Sequence, residues 1–234
     1  MNKFFKAFLD IFFTPKCVIC SKLDERFLCG DCINTISKIE KPICQFCGKP
    51  TLRSVDRCIE CRDEKLYFTK ARSFGLYETV LKDVIVEFKY NHIKSLTEVL
   101  AQLLYEAYLK YYKNTLFDSM EFVPMTRKDK KLRGFNQSEL LTKRLAKITK
   151  IPVSGFLVKV RKTESQMALK LSKRKKNLVG AFDFCGDKGK CGSNILLIDD
   201  VYTTGCTVSE CSKVLLENGV KNVYVLTLAR STLV

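Results

Sequence analysis

Hydrophobic and polar positions follow two regimes along the chain. From about residue 67 onward, apolar runs of strand length alternate with stretches of helical periodicity. Lys70 to Tyr77 reads as a strand with a bend at Gly75. Val80, Leu81, Val84, Ile85 and Phe88 recur at helical spacing over 78–90. Leu96, Val99, Leu100, Leu103, Leu104, Ala107 and Tyr108 mark the buried side of a second helix over 95–112. A short strand ends at Phe122-Val123-Pro124, and a basic loop over 125–135 follows it. Asn136 with Glu139 makes a capping-box-like start for a helix to about Lys147. Leu157 to Val160 and Gly180 to Phe184 read as strands around a second basic loop. The apolar run Ile195 to Ile198 is a buried strand, 208–218 a helix ended by Gly219, and Val223 to Leu228 a last buried strand. Such alternation predicts an α/β fold, with a mostly parallel sheet flanked by helices and right-handed crossovers.

The first 66 residues lack that periodicity and carry a different pattern. Four Cys-x-x-Cys pairs fall at Cys17/Cys20, Cys29/Cys32, Cys44/Cys47 and Cys58/Cys61. A two-residue gap points both thiolates of a knuckle at one tetrahedral metal, and two knuckles complete a closed Cys₄ zinc shell. Loops of this length suit sequential sites at 17/20/29/32 and 44/47/58/61; a cross-braced pairing uses the same ligands. A closed shell leaves no position for substrate, so two structural Zn²⁺ ions are expected, with folding coupled to the metal. Disulfides are disfavoured because cytosolic thiols stay reduced and nothing indicates secretion. Cys185, Cys191, Cys206 and Cys211 lack knuckle spacing and read as small apolar residues. Ahead of the knuckles, Phe4 or Phe5, Phe8 and Phe12 recur at helical spacing, giving a short aromatic helix. It suits the protein's own core, a partner or a membrane surface. Asp10 interrupts that stretch and no small-residue cleavage site follows, so a signal peptide is not expected. No apolar run reaches a membrane span's length. The chain thus divides into a zinc module over 1–66 and an α/β domain over 67–234, placed in the cytoplasm.

Charge then singles out one stretch. Of the net +16, residues 121–190 hold nearly all, with 19 basic against 6 acidic groups. Such clustering attracts polyanions, nucleic acid among them. The first basic loop offers Arg127, Lys128, Lys130, Lys131 and Arg133; the second offers Arg161, Lys162, Lys170, Lys173, Arg174, Lys175 and Lys176. The zinc module, after subtracting two charges for each Zn(Cys)₄ site, is close to neutral.

The densest chemistry lies at Asp199-Asp200-Val201-Tyr202-Thr203-Thr204-Gly205-Cys206-Thr207. Two carboxylates end a buried strand, where open α/β sheets hold ligands. The following turn of hydroxyls and glycine opens a helix, whose N-terminal N–H groups suit a phosphate. The segment resembles the phosphoribosyl-pyrophosphate (PRPP) loop of type I phosphoribosyltransferases. That resemblance puts Asp199 and Asp200 on the ribose diol or on Mg²⁺, and Thr203 to Thr207 on the 5′-phosphate.

Other pieces widen the likeness to nearly the whole chain. Phe12-Phe13-x-Pro15, the knuckles, Lys89-Tyr90, Val123-Pro124, Arg133-Gly134-Phe135-Asn136-Gln137, Arg161-x-Thr163-x-x-Gln166, Arg174-x-x-Asn177, Gly180-Ala181-Phe182 and Leu228-Ala229-Arg230 occur in one order. In that order they are similar to the ComF (ComFC) family of competence proteins. Met125-Thr126 stands where that family often has a His-Pro-like step. The resemblance implies a type I phosphoribosyltransferase-like domain and a role in handling incoming single-stranded DNA. It implies pyrophosphate contact around Arg133, Gly134 and Asn136, and a mobile loop carrying Arg161, Gln166 and Arg174. The expected function is a DNA-handling competence factor that retains a PRPP pocket. The alternatives are a working phosphoribosyltransferase, whose acceptor site is not legible, and a zinc-module adaptor for a helicase or recombination mediator. His92 reads as a surface residue. Phe135, Phe156 and Tyr202 read either as base-stacking platforms or as core.

Overall fold

A computed structural model of the protein describes residues 15–91, 93–163, 177–187 and 191–232. The aromatic segment at residues 4–12, His92, Gln166, Lys170, Lys173, Arg174, Lys175 and Lys176 lie outside the described residues.

Four strands form a parallel sheet in the order β1 (Lys70–Leu76), β6 (Asn222–Arg230), β5 (Asn194–Tyr202) and β2 (Ser119–Phe122). The period-two alternation of β5 and β6 divides the core between the two faces. Leu196, Ile198, Leu226 and Leu228 face one side, where α2 (Thr79–Tyr90), α3 (Leu96–Tyr112) and α5 (Gln137–Thr149) cover them. Ile195, Leu197, Val223 and Val225 face the other, beneath α6 (Cys206–Glu217). Burial on both faces explains why these strands read as continuous apolar runs.

The cysteine-rich segment holds one short helix, α1 (Gly30–Asn34), and straddles the outer edge of the sheet. Cys17, Cys29 and Cys32 belong to the core on the α2/α3 face, and Cys44, Cys47, Cys58 and Cys61 to the core on the α6 face. Between them, the linker pairs antiparallel with β1. Leu76 N–H donates to Ser37 O at 2.8 Å and Ile39 N–H to Phe74 O at 3.2 Å. Farther along, Ala71 N–H donates to Phe46 O at 2.9 Å. The edge strand thereby keeps few open backbone groups, which removes a site for edge-to-edge association. The opposite edge is covered by residues 152–154, with Met120 N–H donating to Pro152 O and Ser154 N–H to Met120 O.

Two expectations need correction. Residues 125–135 are not all loop: Arg127–Arg133 form a short helix, α4. Thr126 caps it, its Oγ1 accepting from Asp129 N–H at 3.1 Å; the Thr-x-x-Asp signal was present beneath the charge. The strands β3 (Leu157–Lys159) and β4 (Phe182–Phe184) do not join the main sheet but pair with each other, antiparallel. Of the two readings for the aromatics, core holds for Phe135 and Tyr202, and Phe156 packs on Phe184 with ring centroids 5.5 Å apart. Cys191, Cys206 and Cys211 are buried as expected, whereas Cys185 is exposed.

Gly75 reports how closely the cysteine-rich linker approaches the sheet. A Cβ there would lie 2.9 Å from both Ser37 O and Leu81 Cδ2. Gly75→Ala is expected to lower stability by about 1–3 kcal/mol through overpacking, measured by urea denaturation of the zinc-loaded chain.

Candidate functional site

Eight cysteines resolve into two clusters, 17/20/29/32 and 44/47/58/61, with the four sulfurs of each within 4.8 Å of one another. The pairing is therefore sequential. Sulfur separations of 3.5–3.7 Å recur within both sets, as between Cys17 and Cys32, Cys20 and Cys29, and Cys47 and Cys58. A tetrahedron with Zn–S bonds of about 2.3 Å has edges of about 3.8 Å, so the donor sets fit zinc; a disulfide requires about 2 Å. Backbone N–H groups support the thiolates: Cys29 N–H donates to Cys17 Sγ and Cys58 N–H to Cys44 Sγ. Burial pushes both thiols up, yet such donors bring Cys17 down to about 6 and Cys44 to about 7. Two structural zinc ions are the coordination these residues support.

The carboxylate pair lies at the carboxyl end of β5. Asp199 Oδ1 accepts from Ser138 Oγ at 2.8 Å and from Asp200 N–H at 2.9 Å. Asp200 is buried and paired with Lys89 Nζ at 2.7 Å, from the last turn of α2. Burial raises the Asp199 carboxyl to about 7, and the neighbouring Asp200 charge adds to the shift. Burial lowers Lys89, but Asp200 and Asp199 outweigh it and hold the ammonium above its ordinary range. Sequence reading noted Lys89 as a motif residue and overlooked Ser138. A lysine closing an otherwise apolar helical stripe is the only local sign of Lys89's partner, and Ser138 gave none.

After Tyr202, the turn 203–205 leads straight into α6, which begins at Cys206, two residues earlier than its periodicity indicates. Gly205 is the N-cap at φ +79° and offers no side chain to the first turn. A Cβ there would lie 2.3 Å from Tyr202 Oη, so only glycine fits. Thr204 Oγ1 is 3.1 Å from Cys206 Sγ. The turn thus has the local form of an anion cup at a helix N-terminus.

A cavity of about 960 Å³ opens at Thr207 in the first turn of α6, between the end of α2, the segment after β2, α4 and the β3–β4 pair. Lys89, Tyr90, Pro124, Arg133, Lys159 and Thr207 are among its lining residues. Lys89, rather than the carboxylate it holds, forms the wall there. The Arg133 guanidinium sits 5.3 Å from the Tyr90 ring and donates to Gln137 Oε1 at 3.2 Å. Burial pulls the Lys159 amine below its usual range; this residue and Lys162 supply positive charge that the sequence placed only loosely.

The other expected residues have diverse placements. Arg127, Lys128 and Lys131 are exposed on α4. Lys130 pairs with Glu139 at 2.6 Å. Gly134 ends α4 at φ +76°. Asn136 is buried as the N-cap of α5 and donates to Val123 O at 3.0 Å. Arg161 donates to Asn177 O and Val179 O, closing the base of the second basic loop.

The architecture defines a class: a double Cys₄ ribbon clamped on the edge of a parallel α/β sheet, with an acidic strand end beside a cationic cavity. Residues 8–62 match the double zinc ribbon domain family. Over 229 residues the chain is 31% identical to competence protein F of Haemophilus influenzae, covering 94% of this chain and 99% of that protein. It is 29% identical to the DNA utilization protein YhgH of Escherichia coli K12, covering 87% and 90%. It is also 29% identical to the competence protein ComFC of Streptococcus pneumoniae R6, covering 88% and 89%. The chain belongs to the competence protein F family. Among the described residues, no helix is long and apolar enough to cross a membrane.

Two expectations follow. Zinc analysis of the purified chain yields two ions, and Cys44→Ser lowers the count to one after dialysis against a mild chelator. The raised Asp199 value means that ionising this group destabilises the fold as pH rises from its ordinary 3.8 to about 7. Asp199→Asn therefore melts higher than the parent, by a margin that widens from about pH 5 to about pH 8; thermal melts at each pH measure it.

Proposed function

We propose that the protein is a cytoplasmic competence factor that handles incoming single-stranded DNA and binds PRPP, or a related phosphorylated sugar, with Mg²⁺. The carrying observation is the juxtaposition of Asp199 and Asp200, the glycine-capped turn over 203–207 and the cationic cavity. In this reading the turn holds the 5′-phosphate through backbone N–H groups and the positive end of α6. Asp199 and Asp200 meet the ribose diol or the metal, with Lys89 released from Asp200 as the diol arrives. Arg133, Lys159 and Lys162 stabilise the diphosphate.

The names of the relatives, competence protein and DNA utilization protein, support the DNA role. So does the charge of residues 121–190, whose described part lines much of the cavity and presents Arg127, Lys128 and Lys131 to solvent. A second reading, an active transferase, is favoured by the size of the cavity, which extends past Thr207 to the apolar Leu178 and Phe182 beside Lys159.

Calorimetry with PRPP and Mg²⁺ is expected to show binding that the Asp199→Ala/Asp200→Ala variant loses. Labelled single-stranded DNA is expected to bind less tightly as salt rises, and Lys128→Glu/Lys131→Glu weakens it further. Affinity for DNA that ignores salt would remove the electrostatic account. Release of pyrophosphate with any common base would establish the transferase.

A further inference from the structure

One side chain joins the second zinc ribbon to the end of the carboxylate strand. Arg230, the last residue of β6, is 1% exposed. Its Nη1 donates to Cys47 O at 2.7 Å, and its Nη2 lies 3.4 Å from Cys47 Sγ and 3.3 Å from Glu60 Oε2. Glu60 also pairs with Lys49, two residues beyond Cys47. On its other side, the guanidinium stands 4.4 Å from the Tyr202 ring centroid. Tyr202 in turn carries the oxygen that excludes any side chain at Gly205. A parallel route exists through aromatic packing. Phe46, inside the Cys44–Cys47 knuckle, stacks on Phe68 at 4.8 Å, and Phe68 meets Tyr202 edge-on at 6.1 Å.

The first ribbon has no equivalent. Among the described residues, its cysteines hydrogen-bond only within the ribbon and pack against the helices of the opposite face. The asymmetry has an electrostatic side. A buried guanidinium needs compensating negative charge. Arg230 is held between Cys47 and Glu60, so a displacement of the Cys47 knuckle takes partners away from a buried charge.

We propose that Arg230 is a positioning residue that couples metal occupancy of the second Cys₄ site to the conformation of the turn over 203–207. Zinc at Cys44/Cys47/Cys58/Cys61 sets the guanidinium, the guanidinium sets Tyr202, and Tyr202 sets the turn. By linkage, whatever the second zinc does to an anion in the turn, that anion does to the second zinc by the same factor. The ligand arm rests on the reading of the turn as a phosphate site; the metal arm does not.

The test follows zinc release from the full chain into a chromogenic chelator. Cys20→Ser, which disables the first site, assigns the kinetic phases. Arg230→Met is expected to accelerate second-site release about 10- to 100-fold, the usual effect of losing a hydrogen-bond partner to a metal ligand, and to leave first-site release unchanged. Arg230→Lys, which keeps the charge and loses the fork, falls between. Gly205→Ala, which pushes on Tyr202 from the turn, also changes second-site release alone. If Arg230→Met fails to fold by circular dichroism, Arg230→Lys and Gly205→Ala carry the test. Second-site release within about twofold of the parent in the folded variants overturns the proposal. So does equal acceleration of both ions, which signals general loss of stability. PRPP with Mg²⁺ is expected to slow second-site release in the parent and not in Arg230→Met. Absence of PRPP binding by calorimetry defeats the phosphate-site reading while leaving the Arg230 and Gly205 outcomes to decide the coupling. PRPP that binds without altering second-site release overturns the coupling itself.

Discussion

The exposed edge of β1 is the constraint around which the molecule is arranged. A parallel sheet buried on both faces still leaves backbone donors and acceptors along its outer strands. Here the edge is capped by a segment too poor in aliphatic residues to fold unaided, and metal coordination supplies the missing free energy. The cysteines are at once ligands and core: the first cluster packs under α2 and α3, the second under α6. The ribbons therefore clamp both sides of the sheet, and the linker between them completes the ladder.

The same logic governs the charged groups within. Lys89 and Asp200 are shielded from solvent at the end of β5, and their proximity makes that burial tolerable. Burial, with the Asp200 charge beside it, outweighs the pull of Lys89 and makes the Asp199 carboxyl hold its proton late. Arg230 is another buried charge, and its partners belong to the zinc ribbon. Arg72 likewise donates to Gln45 O of the ribbon, whereas the buried Glu121 is held within the α/β domain by Ser154 and the Phe156 N–H.

Much of this was legible in the residues. Strand and helix periodicities located β1, α2, α3, α5, β5 and β6 closely, because side-chain burial repeats with the backbone geometry that produces it. The knuckle spacing identified the eight ligands because two thiolates separated by two residues share one metal. The carboxylates and the glycine turn followed from their order after an apolar strand. Less legible was α4, whose Thr126 cap was hidden beneath a run of lysines. The isolation of β3 and β4 was hidden as well, since a short strand carries no label for its sheet.

Sequence by itself determined the class of fold, the cysteine ligand sets and the candidate site segment, since each depends on residues close together along the chain. Tertiary structure alone decided the sequential zinc pairing, the straddling of the sheet edge, the Lys89–Asp200 and Ser138–Asp199 contacts and the bridge from Arg230 to Cys47 and Tyr202. The Ser138–Asp199, Lys89–Asp200 and Arg230–Cys47 hydrogen bonds join residues 61 to 183 positions apart. No local pattern encodes such a pairing, because the free energy of burying a charge depends on what the fold places beside it.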